Sequence, residues 1–322
     1  MKALFITSTR IGDAVLSTGI LNNLIQLHPS IDITVACGPA AAPIFAEMPR
    51  LKNLVCMEKK VCSLHWAHLW KICIGVRWDI IVDLRNSPVS RMLFGRRRYV
   101  MKRVNPSIHR VQHLGNVMGV RSSPPSPCLW ISDSQEEAAQ KLIGTKQKVL
   151  ALGPMANWKG KEWKLERFSE LAFRLTRAGG ILAGASVVIL GSKAERSRSE
   201  KVLEKIPAGR RVNLVGKIDL LTAYALLRRS SLFIGNDSGL MHIAAASGIP
   251  TLGLFGPSRE AHYGPWGPKT AWIRTQKTYD ELVGEPGYDH RNTGSLMSSL
   301  SVDQVEEAAI SLWSSTGGAV EK

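Results

Sequence analysis

The segment 233–258 places a carboxylate, a hydroxyl and an imidazole where an apolar run ends. It reads FIGNDSGLMHIAAASGIPTLGLFGPS, with small residues beginning at Ser238 and Gly239. This order predicts a strand, a tight loop, a helix and a second strand. The first N–H groups of a helix have no partner within the helix, so they favour a bound anion such as a diphosphate. His242, one turn into the predicted helix, is expected to contact the same anion.

Asp237 distinguishes this loop from a P-loop. A P-loop carries a lysine in the motif G-x-x-x-x-G-K-[ST], and residues 235–239 contain no lysine. The carboxylate of Asp237 either caps the helix or accepts hydrogen bonds from sugar hydroxyls. A sugar diphosphate would use both features of the loop, provided that a cation came from elsewhere in the chain.

That cation is expected from the segment 157–163, NWKGKEW. The segment follows the apolar run VLALG and precedes a predicted helix. Lys161, or Lys159 as the alternative, would therefore reach a phosphate bound at the same edge of the sheet. Taken alone, a solvated loop lysine would be the simpler interpretation.

Two further acids also follow predicted strands. Glu195 comes after VVILG, where an acid binds ribose hydroxyls in other nucleotide-binding folds; alternatively it complements the dipole of the next helix. Asp13 follows the first strand, ALFIT, and precedes a helix. It is either an N-cap, with Gly12 relieving backbone strain in the turn, or a functional carboxylate at the carboxyl end of the strand.

The runs that carry these residues alternate between strand and helix patterns in both halves of the chain. Such alternation predicts parallel sheets covered by helices on both faces. The chain is therefore predicted to fold into two doubly wound α/β domains, 1–145 and 146–300, with a helix at 301–315. Two such domains imply a cleft, with the ligand at the carboxyl ends of the strands.

The charge of the chain indicates an anionic partner. The net charge is +16, and no acidic residue occurs between residues 84 and 132. Excess positive charge attracts nucleic acid, anionic membranes or anionic substrates, although a solvated basic face is the simpler alternative. The basic residues of this segment are Arg85, Arg91, Arg96, Arg97, Arg98, Lys102, Arg103, Arg110 and Arg121.

A tryptophan-rich segment precedes these basic residues. Residues 65–78 read HWAHLWKICIGVRW and include Trp66, Trp70, Lys71 and Arg77. Such a segment either rests on an anionic membrane or packs as a helix on the sheet, and packing is the preferred interpretation.

The sequence lacks the patterns that are typical of several classes of protein. No apolar run is long enough to span a membrane, and the N-terminus has no signal-peptide pattern. The five cysteines include no C-x-x-C, which indicates free thiols in a reducing cytosol. No D-x-D, H-E-x-x-H, G-x-S-x-G or G-x-G-x-x-G motif occurs, so no metal or other cofactor is expected.

Four segments together resemble glycosyltransferase family 9, which contains the ADP-heptose:lipopolysaccharide heptosyltransferases. They are RIGDAV, GPMANWKGKEW, LGSKAER and, most specifically, IGNDSGLMHIAAASGIPTLGLFGPS. The resemblance extends from residue 1 to about residue 313, and WDIIVDLRNS resembles the family's acceptor-domain strand and loop. It implies a GT-B fold, a C-terminal helix that crosses back to the first domain, and inverting, metal-independent sugar transfer.

The resemblance also implies a role for each candidate residue. Asp13 would be the general base, and Arg85, Asn86, Arg96, Arg97 and Arg98 would bind the acceptor. The donor would be held by Lys161, Glu195, Asp237, Ser238, Gly239 and His242. The implied partners are a nucleotide-sugar donor, expected to be ADP-heptose, and an anionic lipid-linked oligosaccharide. The enzyme would work in the cytoplasm, at the inner face of the inner membrane.

Two departures from the family pattern leave other donors open. Lys164 stands where many members have a proline after Lys-x-Trp, and the segment before the last helix lacks the cysteines often found there. The main alternative is another nucleotide-sugar enzyme of the same fold, with a different donor sugar or an epimerase activity. A nucleic-acid-binding protein is a weaker alternative, because no helix-turn-helix or aromatic RNA-binding pattern occurs.

Overall fold

The computed structural model describes residues 1–58, 64–102, 104–120, 122–144 and 148–317. They form two compact units, Met1–Ser132 and Asp133–Lys322. Cys62, Arg103 and Arg121 lie outside the described residues, as does residue 145, where the domain boundary was predicted. None of the helices in the described part of the chain is long and apolar enough to cross a bilayer.

The first unit alternates strands and helices. Its strands are β1 (Lys2–Ile6), β2 (Asp32–Cys37), β3 (Leu51–Cys56), β4 (Trp78–Asp83) and β5 (Gly95–Val100). Its helices are α1 (Ile11–Leu27), α2 (Leu64–Cys73), α3 (Val89–Met92) and α4 (Arg110–Val117). The sheet has the order β3-β2-β1-β4-β5, and all its neighbouring strands are parallel.

This order reverses direction between β1 and β4. The chain runs outward from β1 to β3, returns beside β1 and continues outward to β5. Ligands of doubly wound sheets bind at the carboxyl ends of the strands that flank such a reversal. Leu84 N donates to Ile6 O at 2.9 Å, so the loops after β1 and β4 leave the sheet side by side.

The second unit repeats the pattern with one more strand. Its strands are β6 (Val149–Gly153), β7 (Ser186–Ile189), β8 (Arg211–Asn213), β9 (Leu232–Asn236), β10 (Thr251–Phe255) and β11 (Thr270–Arg274). The helices are α5 (Asp133–Ile143), α6 (Leu165–Thr176), α7 (Arg196–Leu203), α8 (Leu220–Arg228), α9 (Gly239–Ala246), α10 (Glu260–Tyr263), α11 (Tyr279–Val283) and α12 (Val302–Ser315).

The second sheet has the parallel order β11-β10-β9-β6-β7-β8, which reverses between β6 and β9. Both strands are fully buried, as strands covered on both faces must be. Gly153 and Gly235 pair across them. A Cβ atom on either glycine would lie 2.7 Å from the ring of Phe233, so the ring packs directly over both positions.

Two helices belong to a different unit from the one expected. Helix α5 was expected to close the first domain, but it packs on α8, where Glu136 pairs with Arg228 and Arg229. Helix α12 was expected to pack toward the first domain. Its buried residues Val305 and Ala309 lie instead in the core of the second unit, and the helix packs on α6, β10 and β11.

Candidate functional site

The loops after β6 and β9 are held together by a buried asparagine. Asn236 is fully buried at the end of β9. Its side-chain amide donates to Pro154 O at 2.7 Å, and its oxygen accepts from Trp163 N at 3.1 Å. Because both partners lie in the segment after β6, Asn236 fixes the position of that segment against β9. No role was predicted for Asn236 from the sequence, although the residue stands directly before Asp237.

Lys161 and Asp237 form an ion pair across these two loops. Lys161 Nζ lies 2.5 Å from Asp237 Oδ2, and the exposed side-chain fractions are 23% and 6%. A carboxylate this deeply buried must be compensated by hydrogen-bond donors or a charged partner, and Lys161 is the charged partner here. Lys159, the alternative cation, is exposed at the start of the same turn, Lys159–Lys161. The β9 loop therefore obtains from the β6 loop the lysine that its own sequence lacks.

Helix α9 begins directly after this pair. Ser238 is its N-cap, with an extended backbone, but its side chain makes no capping hydrogen bond. Ser238 Oγ is buried, and no hydrogen-bond partner is found for it among the described residues. Gly239 is the first residue of the helix, and His242 lies one turn further along, 4% exposed. A buried hydroxyl thus accompanies the helix start, where the dipole favours an anion.

Ser258 is a further buried hydroxyl that the sequence analysis missed. It follows β10, the strand next to β9, and is 6% exposed. No hydrogen-bond partner is found for its Oγ among the described residues either. The residue type gives no sign of this burial, because serine after Gly-Pro is common in exposed turns.

Glu162 connects the lysine segment to helix α7. It is 5% exposed, and both of its carboxylate oxygens contact the guanidinium of Arg198, one of them at 3.2 Å. Ala156 N donates to the same carboxylate at 3.3 Å. The hydrogen bonds that Arg198 donates to Glu162 raise the pKa of Arg198. No role was predicted for Glu162 or Arg198 from the sequence.

Glu195 is engaged in local capping. It ends the turn Lys193–Glu195, and Ser192 N donates to its Oε2 at 2.6 Å in a capping box. This geometry matches the alternative interpretation of Glu195 as a helix-start acid. The residue is half-buried and follows β7, the neighbour of β6. Its contact with a ribose stays a prediction.

In the first unit, Asp13 lies in the first turn of α1. The N-cap is Arg10, so Asp13 is not the cap. Asp13 Oδ1 lies 3.5 Å from Arg110 Nε, and the two side chains are 17% and 12% exposed. Arg110 begins α4, which packs on α1. The carboxylate therefore lies next to a positive charge on the neighbouring helix.

The loop after β4 carries Arg85 and Asn86, both exposed. It is shaped by the buried Asp83, which accepts from Arg85 N at 2.8 Å and from Ser87 N and Oγ at 2.7 Å each. Asn86 has φ +51°, a conformation that asparagine tolerates better than most residues. Arg85 and Asn86 thus follow the carboxyl end of β4. The segment that contains Asp13 follows the carboxyl end of the neighbouring strand β1.

The remaining predicted acceptor residues lie apart from that loop. Arg96, Arg97 and Arg98 are inside the edge strand β5, and Arg97 is level with Ile80 near the start of β4. Arg98 donates to Ser90 O at 2.6 Å and to Leu93 O at 2.8 Å. It therefore fixes the end of α3, a structural role that its residue type did not indicate.

Within the described part of the chain, no three His, Cys, Asp or Glu side chains are grouped to hold a metal ion. The charged groups at the ends of β6 and β9 are instead a lysine, a carboxylate and a helix start. Such a set can bind a phosphate next to a group that carries hydroxyls.

Known proteins share this architecture. A family model described as glycosyltransferase family 9 (heptosyltransferase) matches residues 64–285. Lipooligosaccharide heptosyltransferase 2 of Haemophilus influenzae is 24% identical over 311 residues, which cover 85% of this chain and 88% of that protein.

Two solved structures superpose over nearly the whole chain. A glycosyl transferase family 9 protein from Veillonella parvula gives a TM-score of 0.80 at 22% identity, covering 98% of this chain and 97% of its own. The ADP-heptose lps heptosyltransferase II of E. coli gives 0.75 at 21% identity, covering 98% and 99%. Both are similar in fold, and the GT-B fold predicted from the sequence is confirmed.

Proposed function

The chain belongs to glycosyltransferase family 9, whose model covers more than half of it, and from this membership we propose that it transfers heptose from ADP-heptose to an anionic lipopolysaccharide-core acceptor. The observation that carries the proposal is the Lys161–Asp237 pair beside the start of α9, at the reversal point of the second sheet. A sugar diphosphate needs a cation and N–H groups for its phosphates and an acceptor group for its sugar hydroxyls. These groups meet at that point.

The donor roles follow from the chemistry of each group. Lys161 contacts a phosphate as a point charge, and Asp237 accepts hydrogen bonds from the sugar. Ser238, Gly239 and His242 hold the diphosphate at the helix start, and Glu195 accepts from the ribose. The name of the E. coli structure supports ADP-heptose as the donor, and the name of the Haemophilus relative supports a lipooligosaccharide acceptor.

The acceptor roles belong to the first unit. Asp13 is the general base, and Arg110, 3.5 Å away, holds its carboxylate in position. Arg85 and Asn86 bind the acceptor at the carboxyl end of β4, while Arg96, Arg97 and Arg98 supply positive charge along β5. A phosphorylated core acceptor suits this acid-free basic segment. The enzyme works at the cytoplasmic face of the inner membrane, where a lipid-linked acceptor is exposed.

The reaction is a single displacement. The acceptor oxygen forms a bond to C1 of the heptose, Asp13 takes the hydroxyl proton, and the bond from C1 to the diphosphate breaks. ADP leaves with the electron pair, and the configuration at C1 inverts because one base acts opposite one leaving group. Lys161 and the start of α9 stabilise the charge that develops on the leaving diphosphate, so the step proceeds without a divalent metal.

A transfer assay with an Asp13 variant tests the proposal. The wild-type chain should move heptose from ADP-heptose to a heptose-deficient core acceptor in the presence of EDTA, with inversion detected by NMR. Asp13→Asn should lower kcat by about 10²–10⁴-fold, the usual contribution of a general base, and should retain ADP binding. The matched control is Asp32→Asn, which alters an exposed aspartate of the same unit.

Three results would count against parts of this proposal. Near-normal turnover by Asp13→Asn would remove Asp13 as the base, and an absolute magnesium requirement would remove the metal-independent mechanism. Transfer from a different nucleotide sugar, or release of free epimerised sugar without an acceptor, would favour the alternative nucleotide-sugar enzymes.

A further inference from the structure

Exposed large hydrophobic side chains are concentrated in one part of the first unit. Eleven such side chains occur among the described residues. Five of them fall within residues 64–94, about a tenth of the chain, and their exposed fractions rise to 70%: Leu64 57%, Ile72 45%, Ile74 48%, Met92 64% and Phe94 70%. Single exposed hydrophobic residues are normal, whereas a cluster indicates an interaction surface.

Four of these residues flank two core residues that pack together. Ile72 and Ile74 lie on either side of Cys73, and Met92 and Phe94 on either side of Leu93. Cys73 and Leu93 are buried in one core cluster with Trp78.

Trp78 also ties the two segments directly. Its backbone N donates to Phe94 O at 3.1 Å, and its indole Nε1 donates to Cys73 O at 3.2 Å. The backbones of the two segments are therefore both held at Trp78, and the four exposed side chains that they carry are called the 72–94 patch below.

The charge near the 72–94 patch is strongly positive. Residues 64–102 contain eight lysines and arginines but only two acids, Asp79 and Asp83. Asp83 is fully buried and hydrogen-bonded within its loop, and Asp79 accepts from the backbone N of Lys2 at 2.8 Å. The exposed basic residues within three positions of the patch are Lys71, Arg77, Arg91, Arg96 and Arg97.

We propose that the 72–94 patch docks on an anionic lipid bilayer. Protruding apolar side chains with a basic surround match the chemistry of a membrane interface, where the apolar groups enter the boundary of the acyl chains and the cations meet lipid phosphates. Trp66 and Trp70, which the sequence analysis considered for this role, are partly buried against the core. The side chains of the 72–94 patch are instead exposed enough to enter a bilayer.

The charge decides between a bilayer and a second copy of the chain as the occupant. A second copy would bring another basic surface against this one, and like charges oppose such a contact. An anionic bilayer neutralises the same charges. The inference rests on the membrane-face location in the proposed function and adds the surface that meets the membrane. Lipid binding is measured without donor or acceptor, so it is tested separately from sugar transfer.

Vesicle sedimentation with the full chain tests the apolar part of the surface. The protein should bind phosphatidylglycerol-containing vesicles and bind pure phosphatidylcholine vesicles far more weakly. Met92→Ser combined with Phe94→Ser should weaken binding by at least about tenfold, the effect of withdrawing one large apolar side chain from an apolar phase. The matched control is Phe173→Ser with Trp272→Ser, which removes two exposed apolar side chains from the second unit.

A double variant that neutralises two basic residues tests the electrostatic part of the proposal. Lys71→Gln with Arg77→Gln should weaken binding by about thirtyfold, from the usual contribution of each basic residue at an anionic surface. Arg177→Gln with Lys217→Gln removes two exposed basic residues of the second unit and should change binding little. Added salt should weaken wild-type binding, since it screens exposed charges.

Three results would overturn the proposal. One is unchanged vesicle binding by the Met92→Ser, Phe94→Ser variant, with ADP binding and thermal stability intact. Another is equal affinity for neutral and anionic vesicles. The third is a dimer in sedimentation velocity that this variant dissociates, together with no vesicle binding, which would assign the patch to self-association. Loss of heptose transfer with vesicle binding retained would refute the proposed function but leave the membrane surface intact.

Discussion

At the scale of single residues, Lys161 and Asp237 are the most informative pair. Each follows a strand, and the two strands are neighbours in the sheet, so the sequence predicted their proximity once a parallel sheet was assumed. The partner of Asp13 was not predictable in this way. Arg110 begins a helix distant in sequence, and nothing in its residue type indicates which carboxylate it approaches.

The pair leads to a prediction for donor binding. Lys161→Met removes the cation and should weaken ADP binding by about ten- to a hundredfold, because a hydrogen bond to a charged group contributes roughly 1.5–3 kcal/mol. Lys159→Met is the matched control, two residues away and exposed, and should change the Kd by less than about twofold. Isothermal titration calorimetry measures both.

A double variant separates direct contact from simple neutralisation of Asp237. If Lys161 only offsets the buried carboxylate, adding Asp237→Asn to Lys161→Met should restore ADP affinity. If Lys161 contacts phosphate, the double variant should remain weak. Equal losses from Lys159→Met and Lys161→Met would contradict a specific role for Lys161.

At the scale of elements, the central strands β6 and β9 were predictable, whereas the edge strand β5 was not. β6 and β9 are continuous apolar runs because helices cover both of their faces. β5 reads GRRRYV and lies at the edge of its sheet, where exposed arginines conceal the strand pattern. The position of α12 was also not predictable, because its apolar stripe could cover either sheet. Which sheet it covers is decided by its contacts with α6, β10 and β11.

The link between Glu162 and Arg198 gives a prediction at this scale. The pair fixes the segment of Lys161 to α7, so Glu162→Gln should raise the KM for the donor more than it lowers kcat. It should also reduce the free energy of unfolding by about 1–3 kcal/mol, because the Arg198 guanidinium loses its carboxylate partner. Thermal unfolding and steady-state kinetics at varied donor concentration measure the two effects.

Glu166→Gln provides the matched control for this change. Glu166 lies on the same stretch of chain, but it is 67% exposed and stands 4.0 Å from Lys201. An exposed pair of this kind contributes about 0–1 kcal/mol, so both stability and KM should stay near the wild-type values. A donor KM unchanged in Glu162→Gln would show that the pair serves stability alone.

At the scale of the whole molecule, the two units differ in what they carry. The residues proposed to bind the donor, Lys161, Glu195, Asp237, Ser238, Gly239 and His242, all belong to the second unit, whereas all five cysteines belong to the first. The alternation of strands and helices predicted two such units. It could not fix their boundary, because α5 is a charged amphipathic helix whose partner is set by its contacts with α8.

This division predicts that alkaline pH and ADP act on different units. Burial raises the pKa of Cys37 to about 12 and the pKa of Cys73 and Cys128 to about 11, from an ordinary value of 9.0. Below pH 9 the thiols are protonated in both the folded and the unfolded state, and their full contribution to stability is present. Above pH 9 they ionise only when unfolded, so the first unit should lose at most about 1.4 kcal/mol per thiol for each pH unit.

Hydrogen exchange of the full chain, followed by mass spectrometry, resolves the two units separately. Raising the pH from 8 to 10, after correction for the intrinsic exchange rate, should lower protection in the strands of residues 1–132. Replacing Cys37, Cys73 and Cys128 by alanine should flatten that dependence, because alanine has no proton to lose. ADP at a hundred times its Kd should stabilise the second unit by about 2.7 kcal/mol, most clearly at the start of α9. Protection by ADP confined to residues 1–132 would contradict the assignment of the donor site, since the groups that favour a diphosphate lie at the ends of β6 and β9.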